Sequence, residues 1–206
     1  MARGALASPK KGAVRKGQLI VFLDESGFSQ RASVRRTWGP RGQTPGLPDH
    51  QTWSRISAIG AMGFRPRKAR VRWFLTLKPG TIKEREIIKF LRSLRRHVRG
   101  PVLLIWDGLP SHRSKLVRQY VETQQHWLQV ERLPGYAPEL NPIEQLWENF
   151  GANEMANYAP DDIADLARQA CRGIRRVRRR PELGWHFLKH AKLISQREIP
   201  YLGETQ

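Results

Sequence analysis

Two continuous apolar segments, each followed directly by an aspartate, constrain the fold of this chain most strongly. Residues 19–23 are all apolar and precede Asp24, and residues 102–106 are all apolar and precede Asp107. Apolar runs without polar alternation are typical of strands covered on both faces, as in the middle of an α/β sheet. We therefore predict two central strands that each end in a carboxylate, with Gly27 closing the first of them.

The rest of the chain predicts an α/β fold with further strands and helices. Other extended segments are expected at residues 34–38, 56–62, 71–77 and 127–130. Helices are expected to begin at Thr81, Ser111 and Asn141, and to span residues 161–180. Thr81 and Glu84 match a capping box, and Pro181 is expected to stop the last helix. The order of elements predicts one mixed sheet, in which an antiparallel meander joins a parallel βαβ unit and helices cover the faces.

The charge distribution predicts a polyanionic partner. The chain has 37 basic and 18 acidic side chains, a formal net charge of +19, and 27 of the basic residues are arginine. Residues 31–120 alone carry a net charge of +17, whereas residues 121–170 carry −7. Because such a field attracts polyanions and arginine binds phosphate through paired hydrogen bonds, we expect the chain to bind nucleic acid.

Composition excludes several classes of protein. The single cysteine, Cys171, excludes a disulfide framework and a cysteine-rich zinc module. No apolar run approaches the roughly 20 residues that cross a bilayer, and no glycine-rich phosphate-binding motif supports a nucleotide cofactor. We expect a soluble intracellular protein that does not contact a membrane.

The two strand-ending aspartates predict a metal site. If their strands are parallel neighbours, Asp24 and Asp107 meet at one edge of the sheet, where ligands bind in α/β folds. Carboxylates held this close repel each other unless both bind a divalent cation. Glu144, in the first turn of the helix after Asn141, is a candidate third ligand, although it also matches a capping-box glutamate. Glu148, one turn later, is a rival ligand.

Other side chains give less specific signals. Glu25 is expected to point to the face of the sheet opposite that of Asp24, because successive strand residues alternate. His112, near the start of a helix, is a candidate for binding phosphate or donating a proton, or for capping and packing there. Candidate DNA contacts are Trp38 with Arg41, for which packing of a turn on the sheet is the alternative. A second candidate is the run at residues 175–180, for which a solvated helix end is the alternative.

Four sequence blocks resemble a known family. They are LDESGF at residues 23–28, TWGPRGQTP at 37–45, WDGLPSHRS at 106–114 and LPGYAPELNPIEQLW at 133–147. Taken in order, they resemble the catalytic domain of bacterial insertion-sequence transposases of the Tc/mariner superfamily, the DDE endonuclease group. The resemblance implies an RNase H-like fold with a mixed five-stranded sheet flanked by helices. It also implies a metal-binding catalytic triad of Asp24, Asp107 and Glu144, and so favours Glu144 over Glu148.

The resemblance implies metal-dependent cleavage and strand transfer of insertion-sequence DNA. Two Mg²⁺ ions, replaceable by Mn²⁺, are expected, with Asp24 between them and Asp107 and Glu144 each completing one side. The expected partners are transposon ends and target DNA at TA dinucleotides, bound by a homodimer. The family's helix-turn-helix domains, which read the transposon ends, are expected on a separately encoded N-terminal part.

The predicted domain organisation has three parts. We expect residues 1–18 to be a flexible linker remnant, residues 19–160 to form the catalytic domain, and residues 161–206 to be its basic helical extension. A cytoplasmic, nucleoid-associated bacterial protein is expected. Two other functions stay open, namely a catalytically incomplete DNA-binding fragment that regulates a full-length partner, and a cellular RNase H-like nuclease.

Overall fold

The computed structural model describes residues 12–31, 33–42, 46, 54–65, 70–135 and 138–194. The strands are β1 (Leu19–Ser29), β2 (Arg55–Phe64), β3 (Val71–Pro79), β4 (Val102–Trp106) and β5 (Leu128–Arg132). The helices are α1 (Glu84–His97), α2 (Lys115–Thr123), α3 (Pro142–Asn153), α4 (Ile163–Arg178) and α5 (Pro181–His190), with a short 3₁₀ helix at Pro138–Leu140. Within the described ranges, no helix combines the length and apolar character needed to span a membrane.

The five strands form one mixed sheet in the order β3-β2-β1-β4-β5. β2 is antiparallel to both β1 and β3, whereas β4 is parallel to both β1 and β5. α2 connects β4 to β5 and completes the parallel βαβ unit. The predicted mixed five-stranded sheet is therefore confirmed, and the two aspartate-bearing strands are neighbours near its centre.

Alternation along β1 divides the apolar core into two layers. Ile20 and Phe22 belong to the layer covered by α3, α4 and α5, whereas Leu19, Val21 and Leu23 belong to the layer covered by α1 and α2. Because helices cover both faces, a strand at this position gains from an apolar side chain at every residue. The double coverage explains why the sequence of β1 does not alternate before Asp24.

β1 is longer than the sequence predicts. It ends neither at Asp24 nor at Gly27 but continues to Ser29. Antiparallel pairing with β2 reaches the pair of Ser29 with Arg55, whereas parallel pairing with β4 ends at Phe22. Local hydropathy alone predicts that a strand ends where an acidic residue interrupts the apolar run, although β1 continues past Asp24.

The predicted strand over residues 34–38 is wrong. The segment pairs with no strand among the described residues, and Val34 and Trp38 are 80% and 100% exposed. Next to this segment, Ser33 forms an isolated β-bridge with Ala156. β-branched and aromatic residues indicate that a segment can be extended, but they do not supply a partner.

The first helix does not begin with the predicted capping box. α1 follows Lys83, whose backbone N–H donates to Oε2 of Glu86 at 3.0 Å. The pairing of Thr81 with Glu84 is therefore wrong, and a bond from the N-cap N–H to a glutamate forms two residues later instead. Both sites have a glutamate at the required spacing, so spacing alone does not choose between them.

The other helix starts divide into correct and incorrect predictions. Asn141 caps α3, with Pro142 in its first turn, as predicted. α2 begins after Ser114 rather than after Ser111, because the side chain of Ser114 accepts the cap hydrogen bond. Pro181 does follow the end of α4, and it also opens α5, which is consistent with the preference of proline for a first helical turn.

Part of the predicted linker packs against the sheet. Residues 12–15 form a helical turn, and Ala13 is buried in the same core layer as α3. α4 and α5 contribute Leu166 and Leu188 to that layer. Residues 1–11 and 195–206 lie outside the described residues, and the division into linker, domain and extension stays a prediction.

Candidate active site

Two of the predicted carboxylates lie on neighbouring parallel strands. The last paired residues of β1 and β4 are Phe22 and Ile105. Asp24 and Asp107 each follow two residues later, so the same register brings them to one end of β4. Asp107 comes directly after β4, whereas Asp24 lies inside β1 and pairs with Gly60 of β2.

Asp24 is a buried carboxylate beside other acidic groups. It is 6% exposed, and its Oδ2 accepts a hydrogen bond from Nε1 of Trp147 at 2.9 Å. Burial and the charge of Glu144 raise the pKa of Asp24 to about 7, although the Trp147 hydrogen bond lowers it; Glu25 and Asp107 raise it further. This carboxyl group therefore has a strong preference for either a proton or a bound cation.

Glu144 comes to the same place from α3. The side chain of Asn141 accepts from the N–H of Ile143 at 3.2 Å and holds the first turn of the helix. Burial, the charge of Glu148 and then that of Asp107 raise the pKa of Glu144. Within the described ranges the Glu144 carboxylate has no hydrogen-bond donor, so it is not engaged in a capping box.

Glu148 has a different environment from Glu144. Its side chain is exposed, and its Oε2 accepts from the amide of Gln145 at 2.9 Å. Glu144 is half-buried and influences the pKa of Asp24, whereas Glu148 does not contribute to that shift. The structure therefore brings Glu144, rather than Glu148, together with the two aspartates.

His112 and Glu25 form a second acidic and imidazole cluster with Asp107. Nδ1 of His112 lies 2.8 Å from Oδ1 of Asp107, and its Nε2 lies 2.8 Å from Oε1 of Glu25. Burial alone would lower the pKa of His112, but the hydrogen bonds to Asp107 and Glu25 raise it to about 9. The imidazolium donates from both nitrogens at neutral pH.

The same contacts act on Asp107. Burial would raise the pKa of this carboxyl group, but hydrogen bonds from His112 and from the N–H of Leu109 hold it below its ordinary value. Asp107 is thus ionised while Asp24 resists ionisation. The two aspartates are chemically distinct although they lie at the same register of neighbouring strands.

Two residues that complete the site escape prediction from the sequence. Trp147 lies one turn after Glu144 and donates to Asp24, a contact between residues 123 positions apart. Gly60 lies opposite Asp24 on β2, and a Cβ there would meet the Trp147 ring at 2.6 Å. The position of Trp147 at the end of the last of the four sequence blocks is a signal for its importance, whereas nothing local marks Gly60.

The remaining predicted residues lie elsewhere. Trp38 and Arg41 are exposed, on the segment between β1 and β2. Within residues 175–180, Arg176 is bound to Glu154 and Asn149, while the other arginines of this run are exposed. The role of these side chains stays a prediction.

Comparison with known proteins identifies relatives of this domain. The family model described as DDE superfamily endonuclease matches residues 19–166. A Mos1 transposase paired-end complex with left transposon end has a TM-score of 0.64 at 20% identity, covering 92% of this chain and 57% of that one. A mariner Mos1 paired-end complex with Mn has a TM-score of 0.64 at 17% identity, covering 98% and 62%.

A third similar structure is the Mos1 strand transfer complex, with a TM-score of 0.58 at 18% identity and coverage of 98% and 62%. No curated protein sequence matches the chain. At these identities the solved structures establish the fold, and the predicted RNase H-like architecture is confirmed. The chain spans about three fifths of the length of the transposase chains that it matches.

Proposed function

Because the chain belongs to the DDE superfamily of endonucleases, we propose that it is the catalytic part of a DNA transposase. Asp24, Asp107 and Glu144 bind divalent cations, and the site cuts DNA at transposon ends and joins those ends to target DNA. One observation carries the proposal. Three carboxylates from β1, from the end of β4 and from α3 lie close together, so that the charges of Glu144 and Asp107 raise the pKa of Asp24 and the charge of Asp107 raises the pKa of Glu144.

The donor set fits a hard divalent cation. All three side chains offer carboxylate oxygen, which Mg²⁺ and Mn²⁺ prefer. Among the described residues, no lysine or arginine forms an ion pair with Asp24 or Glu144, although the chain has 37 basic side chains. Carboxylates left to repel one another in so basic a protein are better explained by a bound cation than by chance.

The side chains have separate tasks in this proposal. Two Mg²⁺ ions, replaceable by Mn²⁺, would supply a nucleophilic hydroxyl oxygen and stabilise the departing one. Asp24 offers Oδ1, because Trp147 occupies Oδ2. Glu144 offers both oxygens, and the capped first turn of α3 orients it. Burial of Asp24 keeps bulk water from competing for the same oxygens.

DNA is the proposed substrate and partner. The Mos1 relatives are complexes with a transposon end and a strand transfer complex. In this chain, a cleft of about 520 Å³ along β3 is lined by Arg70, Arg72, His97 and Arg178, with no acidic residue among its lining. Burial and the charges of Arg70 and Arg65 lower the pKa of Arg72, so basic groups crowd together here and attract phosphate.

Properties of a complete transposase belong to the proposal as well. Recognition of the transposon ends is assigned to a helix-turn-helix part, as the family resemblance implies. Assembly as a homodimer on DNA and insertion at TA dinucleotides follow from the family resemblance. The corresponding location is the bacterial cytoplasm, in association with the nucleoid.

The test is cleavage of a supercoiled plasmid by the purified chain with Mn²⁺ or Mg²⁺. We expect nicking by the native chain and loss of nicking in Asp24→Asn, Asp107→Asn and Glu144→Gln, with DNA binding retained. Glu148→Gln is the matched control and is expected to nick normally. Equal nicking by the native chain and Asp24→Asn would reject the proposal.

The other outcomes separate the alternatives. Tight DNA binding without cleavage in either metal would favour a regulatory DNA-binding fragment. Preferential cleavage of RNA:DNA hybrids would favour a cellular nuclease of the same fold. Loss of activity in Glu148→Gln but not in Glu144→Gln would exchange the roles of the two glutamates.

A further inference from the structure

One imidazole ring connects two carboxylates beside the proposed metal site. His112 contacts Asp107 through Nδ1 and Glu25 through Nε2, both at 2.8 Å. Its side chain is 1% exposed and stacks on Trp106, with ring centroids 4.3 Å apart and an angle of 4° between the planes. Two polar contacts and one stacked face therefore fix both the position and the tilt of the ring.

The contact with His112 distinguishes the two oxygens of Asp107. Oδ1 accepts from the His112 ring and from the N–H of Leu109 at 3.1 Å. Oδ2 accepts no hydrogen bond from the residues that the structure describes. Asp107 follows the last residue of β4, so the sheet does not hold its side chain. The donors on Oδ1 are what prevents the carboxylate from rotating.

Glu25 anchors the far side of the ring. Its Oε1 accepts from His112, while its Oε2 is buried without a partner within the described ranges. A buried carboxylate that loses its donor bears a full desolvation cost, so Glu25 holds the ring firmly in return. Its position on the β1 face opposite Asp24 directs it to α2 and away from the carboxylate of Asp24.

We propose that His112 is a positioning residue, which ties Oδ1 of Asp107 to the protein and leaves Oδ2 as the oxygen that binds a metal ion. The inference rests on the function proposed above, because it takes Asp107 as a metal ligand. Carboxylates that bind metals are commonly oriented by such outer hydrogen bonds, and loss of one costs about 10- to 100-fold in affinity.

A rival arrangement uses the ring itself as a ligand. One atom each from Glu25, Asp107 and His112 lie within 4.8 Å of one another, which is close enough to surround a cation. However, the two ring nitrogens point to opposite sides, and each already faces a carboxylate oxygen at hydrogen-bonding distance. A nitrogen that donates a hydrogen bond has no lone pair for a metal.

The experiment compares Mn²⁺ binding by three variants of His112 in the full chain, measured by titration calorimetry. His112→Asn places an amide nitrogen near the position of Nδ1 and keeps a donor to Asp107. His112→Gln places it near Nε2 and keeps a donor to Glu25. His112→Phe keeps the stack on Trp106 and removes both donors.

We expect about a 10- to 100-fold loss of Mn²⁺ affinity in His112→Phe and His112→Gln, and a clearly smaller loss in His112→Asn. A merely structural role would not distinguish the two amides in this order. His126→Phe changes an exposed histidine and is expected to bind Mn²⁺ normally. Thermal unfolding without metal identifies any variant that fails to fold. If His112→Phe fails to fold, the comparison of His112→Asn with His112→Gln still tests the positioning role.

Equal affinities for His112→Asn and His112→Gln, or native affinity in His112→Phe, would overturn the positioning role. A ¹⁴N coupling in the pulsed EPR spectrum of bound Mn²⁺ would show that the ring is a ligand, which also overturns it. If the native chain binds Mn²⁺ and Asp107→Asn binds it equally well, the proposed metal site fails first. If the native chain binds no Mn²⁺, both proposals fall.

Discussion

At the residue scale, the chemistry of the site depends on how differently the same carboxylate behaves in three places. The pKa of Asp24, buried beside other acids, is raised to about 7, whereas two donors hold Asp107 in its ionised form. Glu144 lies between these extremes, half-buried and without a donor among the described residues. Such divergent environments are typical of functional sites, because ordinary surface acids do not incur these costs.

The raised pKa of Asp24 predicts how stability changes with pH. The folded chain holds this proton up to about pH 7, while the unfolded chain releases it near the ordinary aspartate pKa of 3.8, so ionisation opposes folding. Without metal, the free energy of unfolding is expected to fall as pH rises through this window, by at most about 4 kcal/mol from this group.

Urea denaturation of the native chain and of Asp24→Asn, from about pH 4 to about pH 8, measures this effect. The variant is expected to lack this decrease and to become the more stable of the two at the upper end. Mn²⁺ should restore stability in the native chain but not in the variant. Parallel pH curves for the two proteins would contradict the buried position of Asp24.

The hydrogen bond from Trp147 to Asp24 predicts a second effect at this scale. Trp147→Phe keeps an aromatic ring but removes the donor that lowers the pKa of Asp24. We expect the pKa of Asp24 to rise further and Mn²⁺ affinity to fall about 10-fold.

The matched control is Trp73→Phe. Nε1 of Trp73 is buried but makes no hydrogen bond among the described residues. Its removal is therefore expected to leave Mn²⁺ binding unchanged. Titration calorimetry of both variants decides the point, and equal affinities would mean that the indole donor does not matter.

At the scale of elements, the site depends on how closely α3 approaches the sheet. α3 carries both Glu144 and Trp147 on successive turns, so one helix supplies a carboxylate and the donor to Asp24. The ring of Trp147 lies against the backbone of β2 at Gly60, where any larger residue would occupy its space. Because Gly60 has no side chain, α3 approaches β1 closely enough for Trp147 to donate its hydrogen bond to Asp24.

Gly60→Ala is expected to destabilise the chain by about 1–3 kcal/mol, because the new Cβ overlaps the rigid indole. The displaced ring would also weaken its bond to Asp24, so Mn²⁺ affinity should fall together with stability. Gly63→Ala on the same strand is the control. Its Cβ would meet the end of the flexible Leu19 side chain at 3.2 Å, a contact that small rotations relieve.

Thermal unfolding and Mn²⁺ titration of the two glycine variants test this prediction. A decrease in Gly60→Ala without a comparable decrease in Gly63→Ala is expected. If the two variants behave alike, the approach of Trp147 to β2 is not what limits substitution at Gly60.

At the scale of the whole molecule, acidic and basic side chains are concentrated in different regions. The acidic stretch over residues 121–170 contains Glu144, while basic side chains crowd at the β3 edge of the sheet. β3 lies two strands away from β1, so the basic cleft is separate from the carboxylates. In the proposed function, DNA bound by this cleft would extend toward the carboxylates of the proposed metal site, which are not themselves positively charged.

DNA affinity is expected to fall steeply as salt concentration rises, since binding to phosphates releases counterions. The double variant of Arg70→Glu with Arg178→Glu should weaken binding and reduce the salt slope by about 0.9 for each phosphate that is no longer neutralised. Arg168→Glu is the control, because Arg168 pairs with Asp165 outside the cleft. Fluorescence anisotropy with a labelled duplex measures all three proteins, and a flat salt response would contradict a charged DNA-binding surface.

Much of the fold follows from local sequence patterns. Local patterns predict the two central strands, the helix capped by Asn141 and the mixed sheet. They do so because burial on both faces and helix capping depend on residues that are close together in the sequence. The family resemblance adds the choice of Glu144, which spacing alone leaves open against Glu148. Predictions fail where a partner decides, as for residues 34–38, which have the composition of a strand but no strand beside them among the described residues.

The residues in the middle of the sheet and the two aspartates beside them can be predicted from the sequence alone, because a strand that is covered on both faces needs consecutive apolar side chains. Four features depend on how distant segments pack together. β1 runs past Asp24, Trp147 bonds to Asp24, Gly60 leaves space for the Trp147 ring, and His112 connects Asp107 to Glu25. These contacts join residues up to 123 positions apart. Local periodicity holds no information about them, since they form only when α3 and the turn before α2 pack against opposite faces of β1.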